Sequence, residues 1–291
     1  MPTDKNYWRS DRVVYRRKPQ KNRALLNKNR LIILGVLAAL CLVYWGIYVF
    51  LHLEYFRVTE IAVSGTDAIP ADDIKNYLAG EIAGARWNIL PKDNILFYST
   101  DKAGEKLEDK FPAIKTAVVE KHMPGGISAS ISERKLEAIY CKSASDNATS
   151  TSGRLLVGQC FFMDGEGIIF SSAPKVEGTL ILAIISDDPA GVSLGRQVME
   201  PEELLNLEKL ATTFSEFARI AVNSFELRKN APEDVWAISS AGYFIIVSRA
   251  DDYEKVAGIV KTVIDSEVKG RISQLDYIDA RFGNKVFVKY K

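Results

Sequence analysis

Two histidines, three cysteines and a few adjacent carboxylates are the side chains in this 291-residue sequence with the clearest claim to chemistry. His52 and His122 are far apart, and neither stands at metal-ligand spacing from a cysteine, so no structural zinc set can be assembled. A Ser-His-Asp or Cys-His arrangement would have to recruit His122, which lies in a turn before Pro124 with no nucleophile motif beside it. There is no Gly-x-x-x-x-Gly-Lys-Ser/Thr loop, and Gly125-Gly126 reads as a turn. Asp187-Asp188 precedes Pro189 in a loop and Asp251-Asp252 stands at a helix start. Solvated turn and cap roles are commoner for such pairs than the acid/base work of a glycosidase. Asn147-Ala148-Thr149 fits the glycosylation pattern, a short pattern that arises often by chance. The expectation is a chain with no catalytic residues, no metal and no cofactor.

The distribution of charge is more informative than its total of +1. Residues 1–30 carry ten Lys/Arg against two acidic residues, residues 31–53 carry none of either, and the remainder is acidic, with 28 basic against 35 acidic residues. A basic head, an uncharged stretch and an acidic body form the pattern of a membrane-spanning chain with a cytoplasmic N-terminus. As a helix, twenty such residues span about 30 Å, the thickness of the hydrocarbon core. Leu31 opens the apolar run, and Tyr44, Trp45, Tyr48 and Phe50 gather towards its far end, where aromatic rings favour the headgroup zone. A cleavable signal peptide fits poorly, because the basic region and the apolar core are both too long. A lipoprotein site at Cys41 would want a small residue before it, and Leu40 is not small. The basic tail, with Pro19 and few aliphatic residues, is expected to be disordered through residue 30. Topology and attraction to anionic lipid explain its Arg16-Arg17-Lys18 cluster before nucleic-acid binding does.

Beyond the membrane, Phe56-Arg-Val-Thr-Glu-Ile-Ala-Val-Ser-Gly65 reads as a strand with Ile61 and Val63 on one face. Pro70 and the acidic residues after it start a helix with Ile74, Tyr77 and Leu78 inward. Ser99 or Thr100 caps a second helix, with Ala103, Leu107 and Phe111 as its buried stripe, ended by Pro112. Two strands follow, over 114–121 and 127–133, the second with Ile127, Ala129 and Ile131 inward. The order is β-α-α-β-β, a two-layer unit able to bury its own core. A second unit opens with strands over 137–141 and 160–170, the latter turning at Asp164-Gly165. It continues with a helix over 202–218, strands over 220–227, 235–239 and 243–248, and a helix after Asp251, placed in a capping box with Glu254. It closes with a hairpin over 275–290. Cys141 and Cys160 flank a polar stretch, residues 142–159. A disulfide between facing strands and simple burial of two small apolar side chains both stay open.

The residues that run from Phe56-Arg-Val-Thr-Glu-Ile-Ala-Val-Ser-Gly65 through Phe111-Pro-Ala-Ile-Lys-Thr-Ala-Val-Val-Glu120 to Ile131-Ser-Glu-Arg-Lys-Leu-Glu-Ala138 resemble a POTRA domain. They are most similar to the one that follows the anchor in FtsQ/DivIB proteins. The Phe162-Met-Asp-Gly-Glu-Gly167 strand-turn, Ala173-Pro174 running to Gly178, and the ending Tyr277-Ile-Asp-Ala-Arg281 then Val286-Phe-Val-Lys-Tyr290 also resemble that family. Ala280 stands where the family often has Leu, and residues 182–200 match poorly.

The resemblance implies an α+β protein: a cytoplasmic tail (1–30), a single-pass transmembrane anchor (31–53), a POTRA domain (54–134) and a mixed-sheet β domain with two helices (135–291). It implies a bacterial division scaffold of the cytoplasmic membrane and septum, with its body extracytoplasmic. Its partners would be FtsB/DivIC-like and FtsL-like single-pass proteins, the septal peptidoglycan synthase complex and the lipid bilayer, with no nucleic acid. The family's mode is strand addition to the edge of the last strand, which fits a short alternating strand with no following sequence to cover it. Carried over by position, the binding residues are Arg281 and Phe282 at the turn and Val286, Phe287, Val288, Lys289 and Tyr290 on the edge. Arg281 would meet acidic groups of the partner, and Phe282 and Tyr290 would act as aromatic anchors. The competing reading is that Val286 and Val288 are core and the aromatics cap it. Two other function classes compete with this one. A POTRA-bearing component of protein secretion or outer-membrane assembly would usually accompany a β-barrel, whose alternating strands and aromatic girdles are not evident here. An anchored cell-wall hydrolase would need a catalytic set.

Overall fold

The computed structural model describes residues 22–86, 90–144, 153–174, 181–188, 192–283 and 285–291. Helix α1 (Asn22–Leu51) is the membrane candidate: residues Lys28–Leu51 form a 24-residue stretch, long and apolar enough to cross a bilayer, with none of its most apolar window buried. Leu31, Trp45 and Phe50 are all exposed on it, an arrangement that water penalises and a hydrocarbon environment favours. The helix begins nine residues earlier than Leu31, so the stretch expected to be disordered through residue 30 is helical from Asn22. Ala24, Leu25 and Leu26 are good helix formers, and a helix already nucleated by an apolar span extends into them at little cost. Residues 1–21 lie outside the described residues.

The first body comprises β1 (Glu60–Ser64), α2 (Ala71–Ile82), a two-residue ribbon of β2 (Ala85–Arg86) and β3 (Leu90–Pro91), α3 (Thr100–Lys110), β4 (Ile114–His122) and β5 (Gly126–Glu133). Its sheet runs β1-β5-β4, parallel at the first pairing and antiparallel at the second. Ile74 and Leu78 from α2 and Ala103 and Leu107 from α3 bury their face on Ile127, Ala129 and Ile131 of β5. The approach of α3 to the sheet is close enough that a Cβ on Gly104 would stand 2.4 Å from the Ala117 carbonyl oxygen. Only glycine fits there. Glu133 accepts the amides of Asp67, Ala68 and Ile69 at 2.9, 2.9 and 3.0 Å, tying the end of β5 to the loop that leads into α2.

The second body is a nine-stranded mixed sheet in the order β14-β13-β12-β11-β10-β9-β6-β7-β8. Its strands are β6 (Ala138–Ser143), β7 (Val157–Met163), β8 (Ile169–Ala173), β9 (Leu182–Ser186), β10 (Val222–Leu227), β11 (Asp234–Ser239), β12 (Phe244–Ser248), β13 (Leu275–Phe282) and β14 (Lys285–Tyr290). Helices α4 (Pro201–Thr213) and α5 (Tyr253–Val263) cover one face, each running on into a single π turn. Leu204, Leu207, Leu210 and Phe214 from the first, and Val256, Ala257 and Val260 from the second, meet Phe225, Ile245 and Ile278 of the sheet. The N-cap of α5 is Asp252, whose side chain accepts from Glu254 and Lys255, rather than Asp251. Asp251 instead accepts the Ser248 amide at 2.8 Å, closing the turn ahead of the helix. The polar stretch expected over 142–159 is shorter, because β6 reaches Ser143 and β7 starts at Val157. Residues 145–152, including Asn147-Ala148-Thr149, lie outside the described residues, as do the residues from 175 to 178 where the Ala173-Pro174 stretch leads.

The opposite sheet face carries Ile139, Cys141, Leu155, Cys160, Ile185, Ile238 and Phe244. Cys141 and Cys160 stand directly opposite each other on β6 and β7 and are bonded as a disulfide. Glu226 is fully buried on this face, paired to Arg228 at 2.6 Å and accepting the Leu155 amide at 3.1 Å. The Arg228 guanidinium lies 3.7 Å over the Trp236 ring. Burial pushes the Glu226 carboxyl pKa up against the pull of Arg228.

Arg134 joins the two bodies. Its guanidinium reaches Asp164 at 2.6 Å and Glu166 at 3.3 Å across the linker, and also donates to the Pro112 carbonyl at 3.2 Å. Asp164 is buried and also accepts the amides of Glu166 and Ile168, which fixes the β7–β8 turn. Lys115 of β4 pairs with Glu166 at 2.8 Å. The Glu133-Arg134 dipeptide therefore works in two directions: Glu133 back into the first body, Arg134 forward into the second.

Candidate partner-binding edge

One border of the large sheet, β8, is short and covered by the chain's own return: Ile169 donates to Arg196, Gly195 donates to Ile169, and Val198 donates to Gly167. The other border is β14, and among the described residues no backbone pairs with its outer side. The direction of its backbone groups follows from one contact. Lys291 donates its amide to the Gln274 carbonyl at 2.8 Å, which makes Leu275 and Tyr290 a pair whose own amides and carbonyls turn away from each other. Alternation along β14 then turns the amide and carbonyl of Tyr290, Val288 and Val286 to the open side, and those of Lys289, Phe287 and Lys285 towards β13. Three residues thus offer six unpaired backbone groups in a row.

Side chains alternate with the same period. Val286, Val288 and Tyr290 pack on the helix-covered core, and Lys285, Phe287 and Lys289 point to the helix-free face. Val286 and Val288 are therefore core residues by side chain and edge residues by backbone, so the two readings of them are compatible. At the hairpin tip Phe282 and Phe287 form an edge-to-face pair, centroids 5.4 Å apart, and remain 54% and 55% exposed. Two large aromatic rings are thus left open to solvent on one short hairpin. Tyr290 does not join them; it is half-buried beneath the Arg271 guanidinium, 4.6 Å away. Lys289 is neutralised by Asp276 at 2.9 Å.

Arg281 behaves differently from the expectation that it meets a partner's acidic groups. Its guanidinium is held by Asp279 through Nε at 2.8 Å and through Nη2, and by Asp234 through Nη1. Two carboxylates of the chain itself occupy its donors, so it fixes the outer end of β13 instead.

The histidines and acidic pairs take structural positions. His52 Nδ1 lies 2.8 Å from the Tyr48 carbonyl at the end of α1, its ring stacked on Tyr48. His122 Nε2 lies 2.6 Å from Ser128 Oγ on an exposed part of the β4–β5 hairpin. Asp187 accepts the Lys229 amide at 2.6 Å, and Asp188 pairs with the Lys229 ammonium at 3.5 Å, so both serve a loop. Among the described residues no group of three His, Cys, Asp or Glu side chains is placed to hold a metal.

A three-stranded sheet with two helices on one face, set directly after an apolar helix, is the architecture of a POTRA unit. Residues 56–134 match the family described as "POTRA domain, FtsQ-type". The chain is also similar to the cell division protein FtsQ of Streptomyces bingchenggensis, at 24% identity over 173 residues, 58% of this chain and 56% of that protein. The similarity therefore spans little more than half of that relative's length.

Proposed function

We propose that this chain is a non-catalytic, single-pass membrane scaffold of the bacterial division machinery. α1 crosses the cytoplasmic membrane with the basic N-terminal tail inside and both folded bodies outside. β14 takes up a strand from an FtsB/DivIC-like partner, with an FtsL-like protein in the same assembly, and so helps to assemble and control septal peptidoglycan synthesis. The open, outward-turned backbone of Val286, Val288 and Tyr290 beside the exposed Phe282–Phe287 pair is the observation that carries this reading. The similarity to a cell division protein supports the cellular setting, and the charge asymmetry around α1 supports the orientation.

The test is co-purification of the full-length chain with the FtsB/DivIC-type protein of the same organism, against a variant truncated before Lys285. The partner is expected with the intact chain and lost with the truncation. Retention of the partner by a folded truncated chain refutes the edge as the site. Depletion of the chain should give filamentous cells; normal division after depletion refutes the cellular role.

A further inference from the structure

The junction between α1 and the first body is clasped rather than free. Asn94, almost wholly buried, donates Nδ2 to the Leu51 carbonyl at 2.8 Å, a carbonyl that the end of a helix would otherwise leave unpaired. The segment around Asn94 is also bonded to the chain leaving the helix: Val58 donates to Asp93 and Ile95 to Phe56, each at 2.8 Å. The Phe50 ring meets Phe56 at 5.2 Å. The Asn94 carboxamide oxygen then accepts the Leu96 amide at 2.9 Å, and its carbonyl accepts that of Phe97 at 3.1 Å, forming a tight turn.

That turn presents Leu96 and Phe97 to the outside, with Phe97 60% exposed, while Tyr55 on the facing segment is 66% exposed. Leu53 is exposed as well. Two to three residues from Asn94, the Cα atoms of Leu96 and Phe97 lie no more than about 7 and 11 Å from its own. The span Lys28–Leu51 holds 24 residues, about 36 Å of helix. With the charged Lys28 and Arg30 at the inner headgroups, residues 31–51 make about 31 Å of helix and match a hydrocarbon core of roughly 30 Å, so the end of the helix meets the outer headgroup layer, which is about 5–8 Å deep. Four apolar or aromatic side chains are thus tied to the place where the helix leaves the bilayer. Beside them, Tyr98, Tyr77 and Leu78 line a groove between α2 and α3, whose charged residues are Lys92, Lys102 and the paired Lys106 and Glu81. The Tyr98 hydroxyl, shielded from water, has no hydrogen-bond partner among the described residues.

We propose that the POTRA domain rests on the outer leaflet, with Leu96 and Phe97, joined by Leu53 and Tyr55, seated at the boundary of headgroups and acyl chains and with Lys92 and Lys102 facing anionic headgroups. The bilayer is the occupant because this surface is continuous with the one α1 already occupies, and aromatic and basic side chains are the residues that favour that depth. The consequence is orientation: two points of contact fix the tilt of the first body, and through Arg134 that of the second, so that β14 is held at a set height above the membrane.

The proposal rests on α1 spanning the membrane, and the experiment separates the two. Full-length chain carrying Cys41→Ser is placed in nanodiscs of phosphatidylcholine with phosphatidylglycerol. A nitroxide is attached in turn at Leu96→Cys, Phe97→Cys, Val49→Cys and Val118→Cys, and its collisions with oxygen and with a water-soluble nickel chelate are compared. Labels at 96 and 97 should resemble that at 49, favouring oxygen several-fold over the exposed strand position 118, and Lys92→Glu with Lys102→Glu should reduce the difference. Labels at 96 and 97 as open to nickel as at 118, with 49 still lipid-like, overturn the proposal and leave the anchor intact. Shielding at 96 and 97 that develops only when a protein partner is added overturns it in favour of a protein interface. Water-like behaviour at 49 overturns the anchor and the proposal together.

Discussion

Replacing Val288 with proline separates the open edge of β14 from the fold that carries it. The Val288 amide faces away from β13, so its loss removes no bond within the sheet, and the ring replaces a half-buried side chain of similar size. A docked strand, by contrast, loses one donor and is left with a carbonyl facing a proline. A net hydrogen bond contributes about 0.5–1.5 kcal/mol, and leaving a desolvated carbonyl unpaired costs about 1–3 kcal/mol. Affinity should therefore fall by about 2–3 kcal/mol, roughly 30- to 150-fold in Kd. Val288→Ala keeps the amide and should change Kd by less than about threefold, since backbone pairing provides most of the affinity. Phe287→Pro removes an amide that faces β13 and should lower the melting temperature of the chain itself. The assay is calorimetric titration of the FtsB/DivIC-type partner into full-length chain in nanodiscs, with thermal melts of each variant alone. Unchanged binding by a folded Val288→Pro chain refutes the reasoning, and so does a loss with Val288→Ala as large as with proline.

Three further outcomes follow from the packing. The disulfide closes a loop of sequence separation 19, so Cys141→Ser with Cys160→Ser should cost about 3 kcal/mol of stability; a denaturant midpoint equal to that of the oxidised parent contradicts this. Arg228→Ala strands the Glu226 carboxylate in the sheet face and should cost about 3–5 kcal/mol at neutral pH. Because burial raises the pKa of Glu226 in the folded state, its favourable protonated form dominates at low pH and is lost as pH rises. The deficit of Arg228→Ala should therefore shrink on acidification, and a deficit that grows there refutes the assignment. Glu133→Ala leaves the amides of Asp67, Ala68 and Ile69 without their carboxylate, and should cost about 1–3 kcal/mol. Burial pushes the Glu133 pKa up, but those three amides outweigh it and hold it low. The parent's advantage over this variant should fade as acid protonates Glu133; an advantage constant with pH refutes the role.

Much of this fold is legible in the sequence because period and position agree. Ile127, Ala129 and Ile131 alternate as a half-buried strand must, and all three are buried. Val286 to Tyr290 alternate in the same way at the far border of the second sheet. The interior strand β9 is not legible for the opposite reason: Leu182-Ala-Ile-Ile-Ser186 lies between two parallel neighbours and is apolar on both faces, so it shows no alternation. A short apolar run was the signal available. The cap of α5 lies one residue beyond its expected place because Asp251 and Asp252 are chemically alike, and only geometry separates their roles. Of the two carboxylates on Arg281, Asp279 stands only two positions away and is visible in the sequence, whereas Asp234 is 47 positions away and meets it only in the fold. The link at the membrane exit was invisible for the same reason, since Asn94 and Leu51 meet only in three dimensions.

Amide hydrogen exchange at Val286, Val288 and Tyr290, measured by NMR on the full-length chain with and without the FtsB/DivIC-type partner, tests the strand-addition claim most directly. Exchange should be fast at all three in the free chain, and all three should be strongly protected in the complex, in step with the fraction bound. Formation of the complex with those amides still exchanging freely would contradict it.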